Sequence, residues 1–357
     1  VEIFISMVTK KKYLLPIDSK AMLTKAIAQK VGSKSKNFGN AREMRKMFDE
    51  TISRLSTRVS MLQPDILTDD VLVTIIPADI PSESCEKIDV NLVLEKLNTL
   101  TGLQSVKDEV RNLVSYLNME HQRAVWGGQK TVTVSHIVFS GNPGTGKTTV
   151  ARIMADVFKS IGILSRGQLV EADRAALVAG YTGQTAIKTN QLVDSALGGI
   201  LFIDEAYTLH GGQHDEFGLE AVNTLLKRLE DDKGKFICIV AGYTNEMKIF
   251  LESNPGLPSR FPKTIVFPDY SSEEMTVIFR SMVAQKGMKL DDEADAEIAI
   301  IFEKMVTNKD KNFANARNAR NLFEKVITKQ SARLSVVFDK PEFNLDELNI
   351  IRKIDFE

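Results

Sequence analysis

Between residues 137 and 267, short apolar runs alternate with longer stretches of helical periodicity. Ile137, Val138 and Phe139 form the first run, which reads as a buried strand broken at Gly141. After Lys147 the apolar positions recur at helical spacing: Val150, Ala151, Ile153, Met154, Val157 and Phe158. Further strands are predicted near Leu169-Val170, at Ile200–Ile203, at Phe236–Val240 and at Thr264–Phe267, each separated from the next by a helical pattern. That alternation predicts a parallel, three-layer α/β sheet with ligands at the carboxyl ends of its strands. An amphipathic stretch from Val93 to Val125, interrupted at Thr101-Gly102, precedes it.

The two ends of the chain are predicted to be helical, and they resemble each other. Residues 1–60 repeat in residues 276–335 at a constant offset of 275 and without a gap. Ile3-Phe4 matches Ile278-Phe279, Ser6-Met7-Val8 matches Ser281-Met282-Val283, and Lys36-Asn37-Phe38 matches Lys311-Asn312-Phe313. Asn40-Ala41-Arg42 matches Asn315-Ala316-Arg317, while Arg45 and Arg58 match Arg320 and Arg333. Residues 77–90 carry two prolines and little periodicity, which predicts a linker. The expected organisation is therefore a helical subdomain at 1–76, a linker at 77–90, an α/β core at 91–270 and a second helical subdomain at 271–357. The first copy has no glycine-rich loop and sheet before it, and the chain starts at Val1, so it is expected to be a piece of a longer tandem array.

Composition adds exclusions. With 357 residues, 43% hydrophobic and 26% charged, the chain can build two or three cores. A net charge of −1 argues against a dedicated nucleic-acid surface. No apolar run approaches membrane-spanning length and no signal peptide opens the chain, so no membrane association is expected. Two distant cysteines, Cys85 and Cys238, form no metal-ligand pattern and suit a reducing, cytoplasmic compartment.

The chemistry is concentrated where strands end. Gly141, Asn142, Pro143, Gly144, Thr145, Gly146, Lys147, Thr148 and Thr149 spell a phosphate-binding loop between a strand and a helix. Its backbone N–H groups and the helix N-terminus would cradle phosphates, Lys147 would reach the β- and γ-phosphates, and Thr148 would hold Mg²⁺. The strand Ile200–Ile203 delivers Asp204 and Glu205, suited to the Mg²⁺–water shell and to orienting or deprotonating the attacking water. After Val240, Thr244 or Asn245 could contact the γ-phosphate or the water, or could cap the next helix. Arg260, in a turn-rich segment, is either a surface charge or a finger that reaches a neighbour's nucleotide. Tyr181, between glycines at 180 and 183, sits on a predicted exposed loop.

Taken together these motifs resemble the CbbX/CfxQ branch of the AAA+ ATPases, which includes red-type Rubisco activase and stage V sporulation protein K. The resemblance spans residues 92–357. It rests on the loop at 141–149, Gly-Gly-Ile-Leu-Phe-Ile-Asp-Glu-Ala-Tyr at 198–207 and Ala-Gly-Tyr at 241–243. Ser-Asn-Pro-Gly-x-x-Ser-Arg at 253–260, Phe-Pro-Asp-Tyr at 267–270 and Asn-Phe-Ala-Asn-Ala-Arg at 312–317 complete it. It implies an AAA+ P-loop sheet domain with a C-terminal helical lid, preceded here by an extra lid-like subdomain. It also implies ATP hydrolysis, with ATP and Mg²⁺, at the subunit interfaces of a homo-oligomeric and usually hexameric ring, or between neighbouring AAA+ modules of one longer chain. By the same resemblance Arg260 falls on the arginine finger, Arg317 on sensor 2, and Thr244 or Asn245 on sensor 1. Thr101, Gly102 and Leu103 fall beside the adenine, which Ile278 closes. Tyr181 falls on a pore loop that grips a protein client. The alternative expectation is an ATP-gated scaffold that assembles without threading.

Overall fold

The computed structural model describes residues 1–32, 40–60, 68–81, 90–125, 135–181, 183–212, 215–309, 313–336 and 345–357. The chain divides into two compact units, Val1–Asp89 and Val90–Glu357. No helix among the described residues is long and apolar enough to cross a membrane.

The first unit is helical: α1 (Glu2–Lys10), α2 (Ile17–Gly32), α3 (Asn40–Ser60) and the short α4 (Asp69–Val73). Phe4, Leu23, Met47 and Phe48 are buried at its centre, and the Phe4 and Phe48 rings meet edge to face at 5.5 Å. The linker expected from residue 77 does not begin there. Pro77–Asp79 forms a single tight turn, and Asp79 and Ile80 are buried in this unit. The cause is a buried ion pair: Arg58 Nε and Nη2 each donate to the Asp79 carboxylate at 3.0 Å, while Nη2 also donates to Thr74 O. Residues 82–89, with Cys85, lie outside the described residues.

The second unit opens with α5 (Val90–Asn98) and α6 (Gln104–Val125). Then β1 (Ile137–Gly141), α7 (Lys147–Ser160), β2 (Leu169–Ala172), α8 (Arg174–Leu177), α9 (Gln184–Ala196) and β3 (Ile200–Ile203) follow. The core continues with α10 (Glu216–Asp231), β4 (Ile237–Gly242), α11 (Thr244–Glu252), α12 (Gly256–Arg260) and β5 (Lys263–Phe267). The predicted parallel sheet is present, in the order β2-β3-β4-β1-β5. Its three central strands are buried along their whole length, as near-continuous apolar runs require when helices cover both faces. Cys238 is buried in β4, which pushes its thiol up and leaves it inert.

A helical lid completes this unit: α13 (Ser272–Gln285), β6 (Lys289–Leu290), α14 (Asp292–Thr307), α15 (Ala316–Ser335) and β7 (Ile350–Ile351). The sequence repeat is a repeat of structure. The Phe279 and Phe323 rings meet at 5.7 Å, as Phe4 and Phe48 do. β6 pairs in parallel with β7 where Leu14 bridges Thr74. Arg333 Nε and Nη2 donate to the buried Asp355 at 2.7 and 2.9 Å, as Arg58 does to Asp79. Each carboxylate also accepts from the backbone N–H three residues before it, of Ile76 and of Arg352. Arg333→Met strips the partner from a buried carboxylate, which costs about 3–5 kcal/mol. The urea midpoint of the second unit is expected to fall accordingly, and an unchanged midpoint would refute this account of the lid.

Candidate functional site

The carboxyl end of β1 is the natural site of convergence, because its flanking strands β4 and β5 and the chain beyond β3 all end nearby. Gly141 closes β1 at φ 151°, where a Cβ would lie 2.4 Å from Phe267 O. Only glycine lets the chain leave the sheet here. Gly144, at φ 71°, is equally constrained from the lid side, since its Cβ would lie 2.1 Å from Ala314 O. Gly146 is the left-handed cap of α7, leaving the first N–H groups of that helix open toward the loop.

Lys147 Nζ donates to Gly141 O and Asn142 O at 2.8 Å. Burial lowers its pKa, and the Asp204 carboxylate works against that shift. Thr145 is buried, its hydroxyl donating to Asn142 O at 2.8 Å. Thr148 lines a cavity of about 280 Å³ together with Lys147, Asp204, Glu205 and Arg317. Asp204 accepts from Glu205 N at 3.0 Å, and Glu205 sits at φ 48°, a conformation few residues with a Cβ adopt. Backbone strain at a residue facing a cavity is a feature that active sites share.

A second cavity of about 1080 Å³ opens beside the first, lined by Thr101, Leu103, Gly144, Gly146, Tyr270 and Ile278 among others. Gly102 and Leu103 both take positive φ, at 59° and 56°. The turn that carries them is held by Lys107, whose Nζ donates to Leu100 O at 2.5 Å and to Asn98 O at 3.3 Å.

The structure thus brings the phosphate loop, both acids, Arg317, Thr101, Leu103 and Ile278 around two adjoining cavities. It does not bring Thr244 or Asn245 there. β4 extends through Gly242, two residues beyond the apolar run, so Tyr243 faces the cavity and Thr244 and Asn245 are exposed on α11. Neither caps that helix, whose N-cap is Tyr243. The Tyr243 ring packs on Tyr207 at 5.7 Å, and the Tyr207 phenol is pushed up to about 12, by burial first and by Glu205 next. Arg260 ends α12 outside both cavities, ion-paired with Glu230 and donating to Ser259 Oγ at 2.9 Å. Tyr181 is 73% exposed, and a Cβ at Gly180 or Gly183 would meet nothing within 4 Å. Thr182 lies outside the described residues.

Sequence reasoning missed the latch over the loop. Asn315 is buried at φ 49°: its Nδ2 donates to Asp269 at 2.8 Å and to Pro143 O at 3.2 Å, and its Oδ1 accepts from Tyr270 N at 2.9 Å. Asp269 also accepts from Asn142 and Lys309, and its carboxyl is held below the usual range by these donors against the cost of burial. Asp269 and Asn315 both lie in motifs that carry the resemblance, but nothing in those motifs says that the two side chains meet. Also missed was Arg174, whose guanidinium donates to both Asp215 oxygens, at 2.5 and 2.8 Å, and to Thr208 O at 2.5 Å. It joins α8, which leads into the Tyr181 loop, to the chain that follows Glu205.

Known proteins match this arrangement. Residues 137–269 match the model of the ATPase family associated with various cellular activities (AAA), and residues 1–89 and 271–357 match the AAA lid domain. Stage V sporulation protein K of Bacillus subtilis is 43% identical over 242 residues, covering 67% of this chain and 75% of that protein. The chloroplastic ribulose bisphosphate carboxylase/oxygenase activase of Cyanidioschyzon merolae is 36% identical over 261 residues, covering 72% of this chain and 87% of that one. Among solved structures, the AAA domain of FIGL-1 in complex with ADP superposes with a TM-score of 0.51 at 18% identity. The superposition covers 72% of this chain and 80% of that domain, and it shares the fold.

The Arg174 tie has a pH signature. Hydrogen bonds from Arg174 hold the Asp215 carboxyl down to about 2, well under the usual carboxylate value near 3.9. A depressed carboxylate stabilises the fold fully above about pH 4, and the contribution is lost as pH falls from there through about 2. In Asp215→Asn this carboxylate no longer titrates. Its thermal stability is expected to fall less steeply than wild type between pH 4 and 2, and identical slopes would overturn the assignment.

Proposed function

Because the chain belongs to the AAA+ ATPase family, we propose that it is an ATP-driven motor that assembles into a ring and remodels a protein client. The observation that carries this reading is one cavity lined by Lys147, Thr148, Asp204, Glu205 and Arg317, from the loop, a neighbouring strand and the lid. The donor set suits Mg²⁺, a hard ion that takes one or two protein oxygens and completes its shell with water and phosphate. Thr148 and Asp204 would hold it, and when bound it neutralises charge on the β- and γ-phosphates.

In the proposed reaction the loop N–H groups and Lys147 hold the triphosphate in line. Glu205 orients a water and accepts its proton as the oxygen attacks the γ-phosphorus. The bond from that phosphorus to the β–γ bridging oxygen breaks, giving ADP and inorganic phosphate. Arg317 meets the γ-phosphate from the lid. Arg260, turned away from its own cavity, supplies the finger to a neighbouring subunit, where such a group is worth about 10³–10⁵ in rate. Tyr243 takes the place expected of Thr244 or Asn245 at the end of β4. Tyr181, exposed and flanked by glycines, grips the polypeptide.

Three experiments test this. Glu205→Gln is expected to bind ATP and release no phosphate. Lys147→Ala and Arg260→Ala proteins, each inactive alone, regain part of the turnover when mixed, because an intact Arg260 then faces an intact loop. Turnover by strictly monomeric protein, or full activity of Arg260→Ala, defeats the ring mechanism. Tyr181→Ala separates motor from scaffold. A motor keeps ATP-dependent assembly but loses the stimulation of ATP turnover by an unfolded model polypeptide, whereas a scaffold loses nothing.

A further inference from the structure

The arginines of this protein are nearly all committed. Arg58, Arg174, Arg228, Arg280 and Arg333 hold carboxylates in bonds of the kind that fix a fold. Among the described residues, only the side chains of Arg42, Arg45, Arg317 and Arg320 take neither an ion pair nor a hydrogen bond. These four are two positions seen twice: Arg42 and Arg45 on α3 match Arg317 and Arg320 on α15. Both copies of the lid thus leave the same pair of cations, one helical turn apart, without a partner of their own. An arginine kept bare beside available acids is suited to an anion from elsewhere. Glu324 lies one turn beyond Arg320, lines the larger cavity with it, and forms no ion pair with it.

The two lid arginines of the nucleotide-binding unit differ in place. Arg317 lines only the smaller cavity, with Lys147, Asp204 and Glu205. Arg320 lines both, beside Gly144, Gly146 and Thr149, and among the described residues no other cationic side chain borders both cavities. On the proposed reading the smaller cavity would take the terminal phosphate and the larger the base, beside Leu100, Thr101, Leu103 and Ile278. Their junction is where, on that reading, a ribose would join the α-phosphate.

We propose that Arg320 is a second phosphate-binding residue of the lid, which contacts the α- and β-phosphates of a nucleoside di- or triphosphate and leaves the γ-phosphate to Arg317. This rests on reading the paired cavities as the nucleotide site. Arg317 then reports whether the nucleotide is a triphosphate, while Arg320 keeps the lid engaged with either product or substrate. The lid need not release after hydrolysis, and a ring of such subunits can hold its shape through the ADP state.

The test is direct binding of fluorescent mant-ATP and mant-ADP in the Glu205→Gln background, where ATP persists. Arg320→Ala weakens both nucleotides alike, by about 10- to 100-fold, the loss of a charged hydrogen bond. Arg317→Ala weakens mant-ATP by a similar factor and mant-ADP by much less. Arg320→Lys, which keeps the charge, recovers most of the affinity. Because Arg320 is exposed and unpaired, its variants melt as the parent does without nucleotide. Equal affinities of parent and Arg320→Ala for both nucleotides, or a loss confined to mant-ATP, overturn the proposal while the site stands. A parent that binds neither nucleotide sinks the reading of the site itself, and the proposal with it.

Discussion

The side-chain amide of Asn315 ties the phosphate loop to the chain that follows β5 through both of its ends. Its oxygen takes the Tyr270 N–H at the hinge after β5, and its nitrogen serves Asp269 and the Pro143 carbonyl of the phosphate loop. Leaving one such buried group unpaired costs about 1–3 kcal/mol, so the amide cannot drift from this position cheaply. The backbone is bent to suit it: Asn315 has φ 49°, and the next N–H, of Ala316, donates to Gly144 O at 3.2 Å. Gly144 has no room for a side chain because Ala314 O lies against it. The shape of the loop and the placement of α15 are therefore one geometric fact rather than two.

That coupling sets the electrostatics of the cavity. Lys147 is buried enough for its pKa to fall, and what supports its charge is two loop carbonyls and the carboxylates of Asp204, Asp269 and Glu205. Arg317, carried in by α15, acts on Lys147 in the opposite sense. The lid thus delivers positive charge to a place that already holds a partly desolvated cation, and only an anion between the two relieves the repulsion. A triphosphate is such an anion. On this argument, an anion held between Lys147 and Arg317 stabilises the arrangement in which α15 lies over the loop.

How much of this could be read from the chain depended on whether the signal was local. The five strands were legible because each is a short apolar run bounded by helical periodicity, and the phosphate loop because its glycines and lysine lie within one short stretch. The repeat was legible from identity alone, although its tail was not: the buried Arg58–Asp79 pair converts residues 77–81 from an apparent linker into part of the first unit. The end of β4 was misplaced by two residues, and that small slip exchanged Tyr243 for Thr244 and Asn245 as the group facing the cavity. The Asn315 latch was illegible for a different reason. Its partners come from Pro143, Asp269 and Tyr270, remote in sequence, and nothing in the spacing of polar residues announces that they will meet.

The same distinction bears on how hydrolysis would move a client. Thr208 N and Oγ1 both donate to Glu205 O, at 2.8 and 2.7 Å, so the strained acid is tied to the turn that follows it. Arg174 grips that turn through Thr208 O and Asp215, and Asp215 in turn accepts from Gly211 N and Gly218 N. α8 therefore cannot shift without pulling on the segment that begins at Glu205. From α8 the chain passes within seven residues to Tyr181, and Lys188 Nζ fastens the return by donating to Ala175 O and Val178 O. A set of bonded groups thus runs from Glu205 to Val178, three residues before the exposed tyrosine. Bonds alone do not make a signal; coupling requires an element with two arrangements that both ends can bias. Among the described residues of this path other than glycine, only Glu205 takes a positive φ, so it is there that a second arrangement is to be sought.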